Sequence, residues 1–195
     1  MNQQLLIRPK QLDDLGIDGC FNYEKDGWIF QDVIDRVNPN EILETGWFRG
    51  LSAYIWLSLS KANLTSVDPM VNLYEPWVKH DGKIENVKIL SDAFSNRLTF
   101  FQKSSSYVKK DLQLTGKHFE LFSIDGDHWP RGVENDFQLA LDLKVDYVIA
   151  DDFVTTVEKV YNEKFSNYFK LIKIYDRCDY FMGKPIPMYL LQVRK

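Results

Sequence analysis

Two short runs concentrate side chains able to do chemistry: Phe122-Ser-Ile-Asp-Gly-Asp-His-Trp-Pro130 and Val148-Ile-Ala-Asp-Asp-Phe153. Each is an apolar stretch that ends in acids, the pattern of a buried strand carrying carboxylates at its carboxyl edge. Neighbouring strands of a parallel sheet lie ~4.8 Å apart, so Asp125, Asp127, Asp151 and Asp152 can converge on one point. Carboxylates crowded without a counter-ion repel one another, and a hard divalent cation relieves that repulsion. Oxygen ligands favour magnesium, with calcium or manganese as substitutes, over zinc. Asp125, Asp151 and Asp152 are the expected metal ligands, while Asp127 is as well suited to capping the following helix. His128 stands three residues past Asp125, and an ordinary imidazole pKa of about 6.5 suits it to take a proton from a hydroxyl at neutral pH.

A second constellation lies upstream in Glu44-Thr-Gly-Trp-Phe-Arg-Gly-Leu-Ser52, which leads into the apolar run Ala-Tyr-Ile-Trp-Leu-Ser-Leu. Gly46 and Gly50 allow a tight turn and close approach of backbone to a ligand, and the helix start offers free N–H groups to an anion. Ser52 adds a hydroxyl. Trp47, Phe48 and Arg49 form a bulky set between the glycines that either narrows a pocket or contacts its occupant. Roughly 20 residues on, Asp68 ends another apolar run, where a carboxylate can accept both hydroxyls of a ribose. A lone acid there is more often a turn former, so the pairing with the glycine turn carries the argument. No Gly-x-x-x-x-Gly-Lys-Ser/Thr run is present, and the glycine spacing of four differs from that of dinucleotide binders. An adenosine cofactor without pyrophosphate fits better.

The elements that must position these groups follow from hydrophobic periodicity. Phe30, Val33, Ile34 and Val37 fall at helical spacing before Pro39. The runs EILETG, LTSVD, LTFFQ, FELFSID and VDYVIADD then read as strands separated by amphipathic helices, which is βαβ repetition and a mainly parallel sheet with helices on both faces. The closing runs YFKLIKIYD and MYLLQVR are joined too closely for a parallel crossover and should form an antiparallel hairpin. The expected fold is therefore α/β, a Rossmann-like seven-stranded sheet. It forms one domain over 1–195, with a helical cap or lid in 1–40 lying over the ligand-binding edge and a core in 41–195.

Bulk properties narrow the field. The chain of 195 residues is 45% hydrophobic, 27% charged and 14% aromatic, the balance of one globular domain rather than a disordered segment. A net charge of −4 gives no general affinity for phosphate backbones, so no nucleic-acid partner is indicated. Cys20 and Cys178 lack nearby paired ligands and read as reduced thiols. No apolar run approaches a membrane span, and the first residues lack a signal-peptide core. A cytoplasmic protein with no membrane partner is expected. The oligomeric state is open, with a homodimer the commonest outcome.

In this order and spacing, the Glu-x-Gly-x-x-x-Gly-x-Ser turn, the strand-end Ile-Asp-Gly-Asp-His and the later Asp-Asp resemble the metal-dependent small-molecule O-methyltransferases. These are the catechol and caffeoyl-CoA type branch of the class I S-adenosylmethionine-dependent methyltransferases. The resemblance covers roughly Glu41 to Phe153. It implies that Glu44, Gly46, Trp47, Gly50 and Ser52 surround the methionine part of S-adenosylmethionine, that Asp68 holds the ribose, and that Ser104 and Ser105 contact the adenine, with Asp125 also at the cofactor. It places Asp125, Asp151 and Asp152 on the metal positions and His128 in the general-base position, where catechol-type enzymes have lysine. The implied reaction is methylation of a small hydroxylated acceptor, a sugar, phenol or polyketide-like molecule. Trp129 would pack on cofactor or substrate, or in the core. Tyr23, Trp28, Tyr74 and Trp77 are candidates for an aromatic acceptor wall and equally for buried packing. One departure is Lys144-Val145-Asp146, where relatives often carry a glycine pair.

Other readings compete. A metal-independent methyltransferase would use the same cofactor site, and a non-catalytic binding or scaffold protein would share only the fold. A metal-dependent hydrolase leaves the glycine turn with Asp68 unexplained. An NAD-linked oxidoreductase leaves Asp125, Asp151 and Asp152 without a role.

Overall fold

The computed structural model describes Ile17 and residues 23–70, 84–154, 156–178 and 185–194. Seven strands form one sheet: β1 (Glu41–Thr45), β2 (Asn63–Val67), β3 (Leu98–Phe101), β4 (Leu121–Ile124), β5 (Tyr147–Ala150), β6 (Phe169–Cys178) and β7 (Pro185–Val193). Their order is β3-β2-β1-β4-β5-β7-β6. The first five run parallel. Strand β7 lies antiparallel between β5 and β6, so the short closing connection makes the expected hairpin.

Alternation of side chains along each strand divides the core into two layers. Ile42, Leu64, Leu121, Ile149 and Leu190 face one layer; their chain neighbours Leu43, Phe122, Val148 and Leu191 face the other. The first layer is covered by α1 (Tyr23–Val37), α2 (Leu51–Leu59) and α3 (Glu85–Ala93), and the second by α4 (Ser105–Leu114), α5 (Pro130–Leu143) and α6 (Thr156–Val160), with a π-helical turn at Tyr161–Phe165. Residues 51–57 of α2 are all buried, which explains its almost uninterrupted apolar sequence. In α1 the periodic Phe30, Val33 and Ile34 are buried as expected, and the helix begins earlier than the apolar stripe, at Tyr23.

Lys144 ends α5 with φ 53°, the left-handed conformation that favours glycine. The departure noted before β5 thus keeps a glycine-like backbone with a lysine side chain. No helix among the described residues is long and apolar enough to cross a membrane.

Candidate active site

The carboxyl ends of β1 to β4 open into a cleft of about 530 Å³, lined among others by Gly46, Phe48, Asp68, Ser104, Ser105, Asp125, His128 and Asp136. That volume suits a ligand of drug or nucleoside size. The opening lies where an open parallel sheet binds its ligands.

The glycine turn forms one wall. Gly46 has φ +92°, and a Cβ there would sit 1.9 Å from the Asp125 carbonyl oxygen, so the β1 and β4 loops touch through a position only glycine can fill. Gly46→Ala is expected to cost about 4 kcal/mol or more. Gly116→Ala, at φ +67° with nothing within 4 Å, should cost about 1–2 kcal/mol. Chemical denaturation of both variants checks this, and equal losses would mean that the loop contact is not tight.

Asp68 fastens the turn from below. Its Oδ2 accepts the N–H groups of Trp47 at 2.7 Å and Phe48 at 3.4 Å, and its Oδ1 accepts the Met70 N–H at 2.6 Å. Oδ2 already accepts two N–H groups, but Oδ1 keeps a second lone pair, and Asp68 lines the cleft.

The other turn residues sit deeper. Trp47 is 1% exposed and packs edge-on against Phe100 at 5.3 Å between ring centres, so its side chain belongs to the core and Phe48 faces the cleft instead. Gly50 is the left-handed residue preceding α2, with φ 90°. Glu44 and Ser52 are buried behind the turn. Burial pushes the Glu44 carboxyl up to about 8, against the lowering effect of hydrogen bonds with Ser52 and Ser66. It is therefore neutral at pH 7, a buried support for the turn.

On the opposite wall, Ser104 caps α4 by accepting the Ser106 N–H at 3.3 Å. Asp127 accepts the Trp129 N–H at 2.9 Å, a local turn just ahead of α5, whose N-cap residue is Trp129 and which has no side-chain cap. Trp129 is 57% exposed and lines the cleft rather than the core. Tyr23 and Trp28 pack elsewhere, against Tyr54 and Tyr175, and do not line the cleft; Tyr74 and Trp77 lie outside the described residues.

The acidic cluster comes together as its strand positions require. Asp125, His128 and Asp152 each offer one ligand atom, and these atoms lie within 4.8 Å of one another. His128 Nδ1 is 3.0 Å from Asp152 Oδ2 and Nε2 is 3.6 Å from Asp125 Oδ1. Asp152 has φ 48°, a left-handed conformation that a short acid tolerates. Desolvation alone would lower the His128 pKa, but Asp125, Asp152 and Asp151 outweigh it and hold it at about 9.

Asp151 differs from the other two. It is buried, and its Oδ2 lies 3.0 Å from Arg177 Nη2, which is also 3.0 Å from Asp152 Oδ1. Burial, then Asp125, push the Asp151 carboxyl well above the usual range, with Arg177 acting against them. Arg177, near the end of β6, is the counter-ion that the two-run reading lacked.

Asp136 was also missed. It falls with Val133, Phe137 and Ala140 on the buried stripe of α5, where an acid among apolar positions is the mark of a polar site.

A sheet in this order, with a glycine turn after β1 and acids after β2, β4 and β5, defines the class I S-adenosylmethionine-dependent methyltransferase architecture. The family model described as methyltransferase domain matches residues 43–153, more than half of the chain, and the chain belongs to that family. It is a methyltransferase.

Among solved structures, the O-methyltransferase from Bacillus cereus in complex with SAH has a TM-score of 0.68 at 12% identity, covering 97% of this chain and 93% of its own. The O-methyltransferase TomG from Streptomyces achromogenes, involved in tomaymycin synthesis and in complex with SAM, has a TM-score of 0.68 at 12% identity, covering 95% and 87%. The 1,6-didemethyltoxoflavin-N1-methyltransferase from Burkholderia thailandensis has a TM-score of 0.62 at 12% identity, covering 87% and 78%. Identities this low establish a shared fold, and that fold serves both oxygen and nitrogen acceptors. No curated protein matches the sequence.

Proposed function

We propose that this methyltransferase moves the methyl group of S-adenosylmethionine to a hydroxyl of a small molecule, a sugar, phenol or polyketide-like compound, with a divalent cation at the acidic cluster. The observation that carries the reading is the convergence of Asp125, His128 and Asp152 within 4.8 Å beside a nucleoside-sized cleft. The donor set fits a divalent cation: the carboxylates of Asp125 and Asp152 converge there, and the buried Oδ1 of neighbouring Asp151 has no hydrogen-bond partner. In the same reading 41–195 is the catalytic core and 1–40 its helical cap. Gly46, Gly50, Ser104, Ser105 and Asp68 hold the cofactor, with Glu44 and Ser52 supporting the turn from behind and Trp47 anchoring it through its N–H to Asp68.

The chain's own groups have definable tasks. Asp125, Asp151 and Asp152 would hold magnesium or manganese, which would acidify an acceptor hydroxyl and offset the charge that keeps His128 protonated. His128, held by Asp152, takes the hydroxyl proton. S-adenosylmethionine bound in the cleft would supply the methyl group on a sulfonium, whose carbon–sulfur electron pair would return to sulfur as the acceptor oxygen took the carbon. Positioning of the two reactants in one cleft supplies much of the acceleration.

A second reading has an observation of its own. Arg177 already contributes a positive charge to the cluster, and the His128–Asp152 pair resembles a base with its orienting acid, so a metal-independent transfer would use the same cofactor site. Activity that survives exhaustive chelation selects it.

The test of the main reading is calorimetric titration of S-adenosylhomocysteine, with and without magnesium, into wild type and Asp68→Ala. Wild type should bind, and the variant about 10- to 100-fold more weakly, the worth of one or two hydrogen bonds to a charged group. No binding to wild type under either condition overturns it.

A further inference from the structure

Arg177 reaches the acidic cluster from near the end of β6 and is buried there. Its Nη2 lies 3.0 Å from Asp151 Oδ2 and 3.0 Å from Asp152 Oδ1. The other oxygen of Asp152 faces His128 Nδ1 at 3.0 Å. Two of the three acids assigned to the metal are thus engaged by a cation of the chain itself, while Oδ1 of Asp151 stays without a partner. Crowded carboxylates recruit a divalent cation because they repel one another, and Arg177 removes part of that repulsion in advance.

We infer that Arg177 is a built-in competitor for the divalent cation: its guanidinium holds Asp151 and Asp152 when the cluster carries no metal, and its charge lowers the cluster's affinity for one. The inference rests on the reading above that these acids bind metal. A guanidinium keeps its proton across the pH range of folded proteins, so its charge does not leave when a second cation arrives. In a buried site the repulsion between the two is screened far less than at a surface. Both contacts run through one nitrogen, so a single displacement frees both acids. Burial disfavours the Arg177 charge, but Asp151, Asp125, Asp152 and then Asp26 of α1 outweigh it. Asp26 is itself buried and lies outside the metal set, so part of the compensation remains when a metal takes the other three. The cation of this cluster is therefore exchangeable, held more weakly than the same carboxylates would hold it alone.

The experiment is titration of manganese(II) alone into the full chain at pH 8, with free manganese counted by electron paramagnetic resonance. It compares wild type with Arg177→Gln, Arg177→Met and Arg177→Lys, each checked for folding by circular dichroism. The first two remove the charge, and Arg177→Gln keeps a donor for one acid should Arg177→Met fail to fold. Both neutral variants should bind manganese at least about tenfold more tightly than wild type, a fraction of the Coulomb repulsion between such charges a few ångströms apart. Arg177→Lys, which restores a point charge on one nitrogen, should stay within about threefold of wild type. An arginine that merely orders the acids predicts the reverse, weaker binding once it is lost. Neutral variants that bind no more tightly than wild type overturn the inference, as does a lysine variant that gains as much as they do; wild-type binding then leaves the metal reading standing. Absence of binding in every protein, or binding that Asp125→Asn leaves unchanged, overturns both. Binding by the neutral variants alone supports the inference at its extreme and selects the metal-independent transfer for the wild type.

Discussion

His128→Ala is expected to slow methyl transfer by about 10²- to 10⁴-fold, the usual worth of a positioned general base, while S-adenosylhomocysteine binding stays within about threefold. The asymmetry follows from placement. His128 sits in the acid cluster, 3.0 Å from Asp152, whereas the glycine turn and Asp68 are the groups assigned to the cofactor. The measurement is single-turnover formation of S-adenosylhomocysteine with an acceptor found by screening catechols and sugars with magnesium. Added imidazole should restore part of the rate in the variant, because it supplies the missing base without restoring any packing. The wild-type rate should also rise with pH, since only the neutral ring accepts a proton and the acids hold the charged form up to about 9. A variant as fast as wild type would remove His128 from the mechanism and leave it as a partner that merely separates Asp125 from Asp152.

Much of this arrangement was legible in the chain because the βαβ rhythm dictates it. Once LTSVD and FELFSID are strands of one parallel sheet, Asp68 and Asp125 must emerge at the same edge, and the register of β1 with β2 and β4 places them there. The hairpin was legible from its short connection. Side-chain direction within the turn was not. Trp47 follows Gly46 directly, but the positive φ of Gly46 and of Phe48 turns the indole into the core and the phenyl toward the cleft, and residue types between two glycines do not encode that choice. Nor was Arg177 legible from the motifs. It lies 26 residues beyond Asp151 in sequence, and only the antiparallel insertion of β7 between β5 and β6 returns the chain to the acidic edge. Asp136 was hidden for another reason: helical periodicity marks a stripe as buried without saying whether packed core or a cleft lies against it.

Arg177 carries the prediction that most directly tests the cluster's electrostatics. Arg177→Met keeps the length and apolar stem of the side chain and removes the charge, which leaves the buried Asp151 without the cation at 3.0 Å. Breaking a buried pair from one side typically costs about 3–5 kcal/mol, most of it the penalty of the stranded partner. Asp151 already has its pKa raised by burial and by Asp125, with Arg177 the cation that opposes them; without Arg177 it rises further. A carboxyl with a higher pKa folded than unfolded binds more protons in the native state, so its penalty is greatest at high pH and shrinks as pH falls toward the unfolded value near 4. Urea denaturation of wild type and variant should therefore show a large gap at pH 8 that narrows by pH 5. Divalent cations offer an independent arm: manganese, added to the variant, should recover part of the lost stability by replacing the missing charge. A gap that is small at pH 8, or that does not change with pH, would mean that Arg177 holds β6 by packing alone and that Asp151 and Asp152 find their compensation elsewhere.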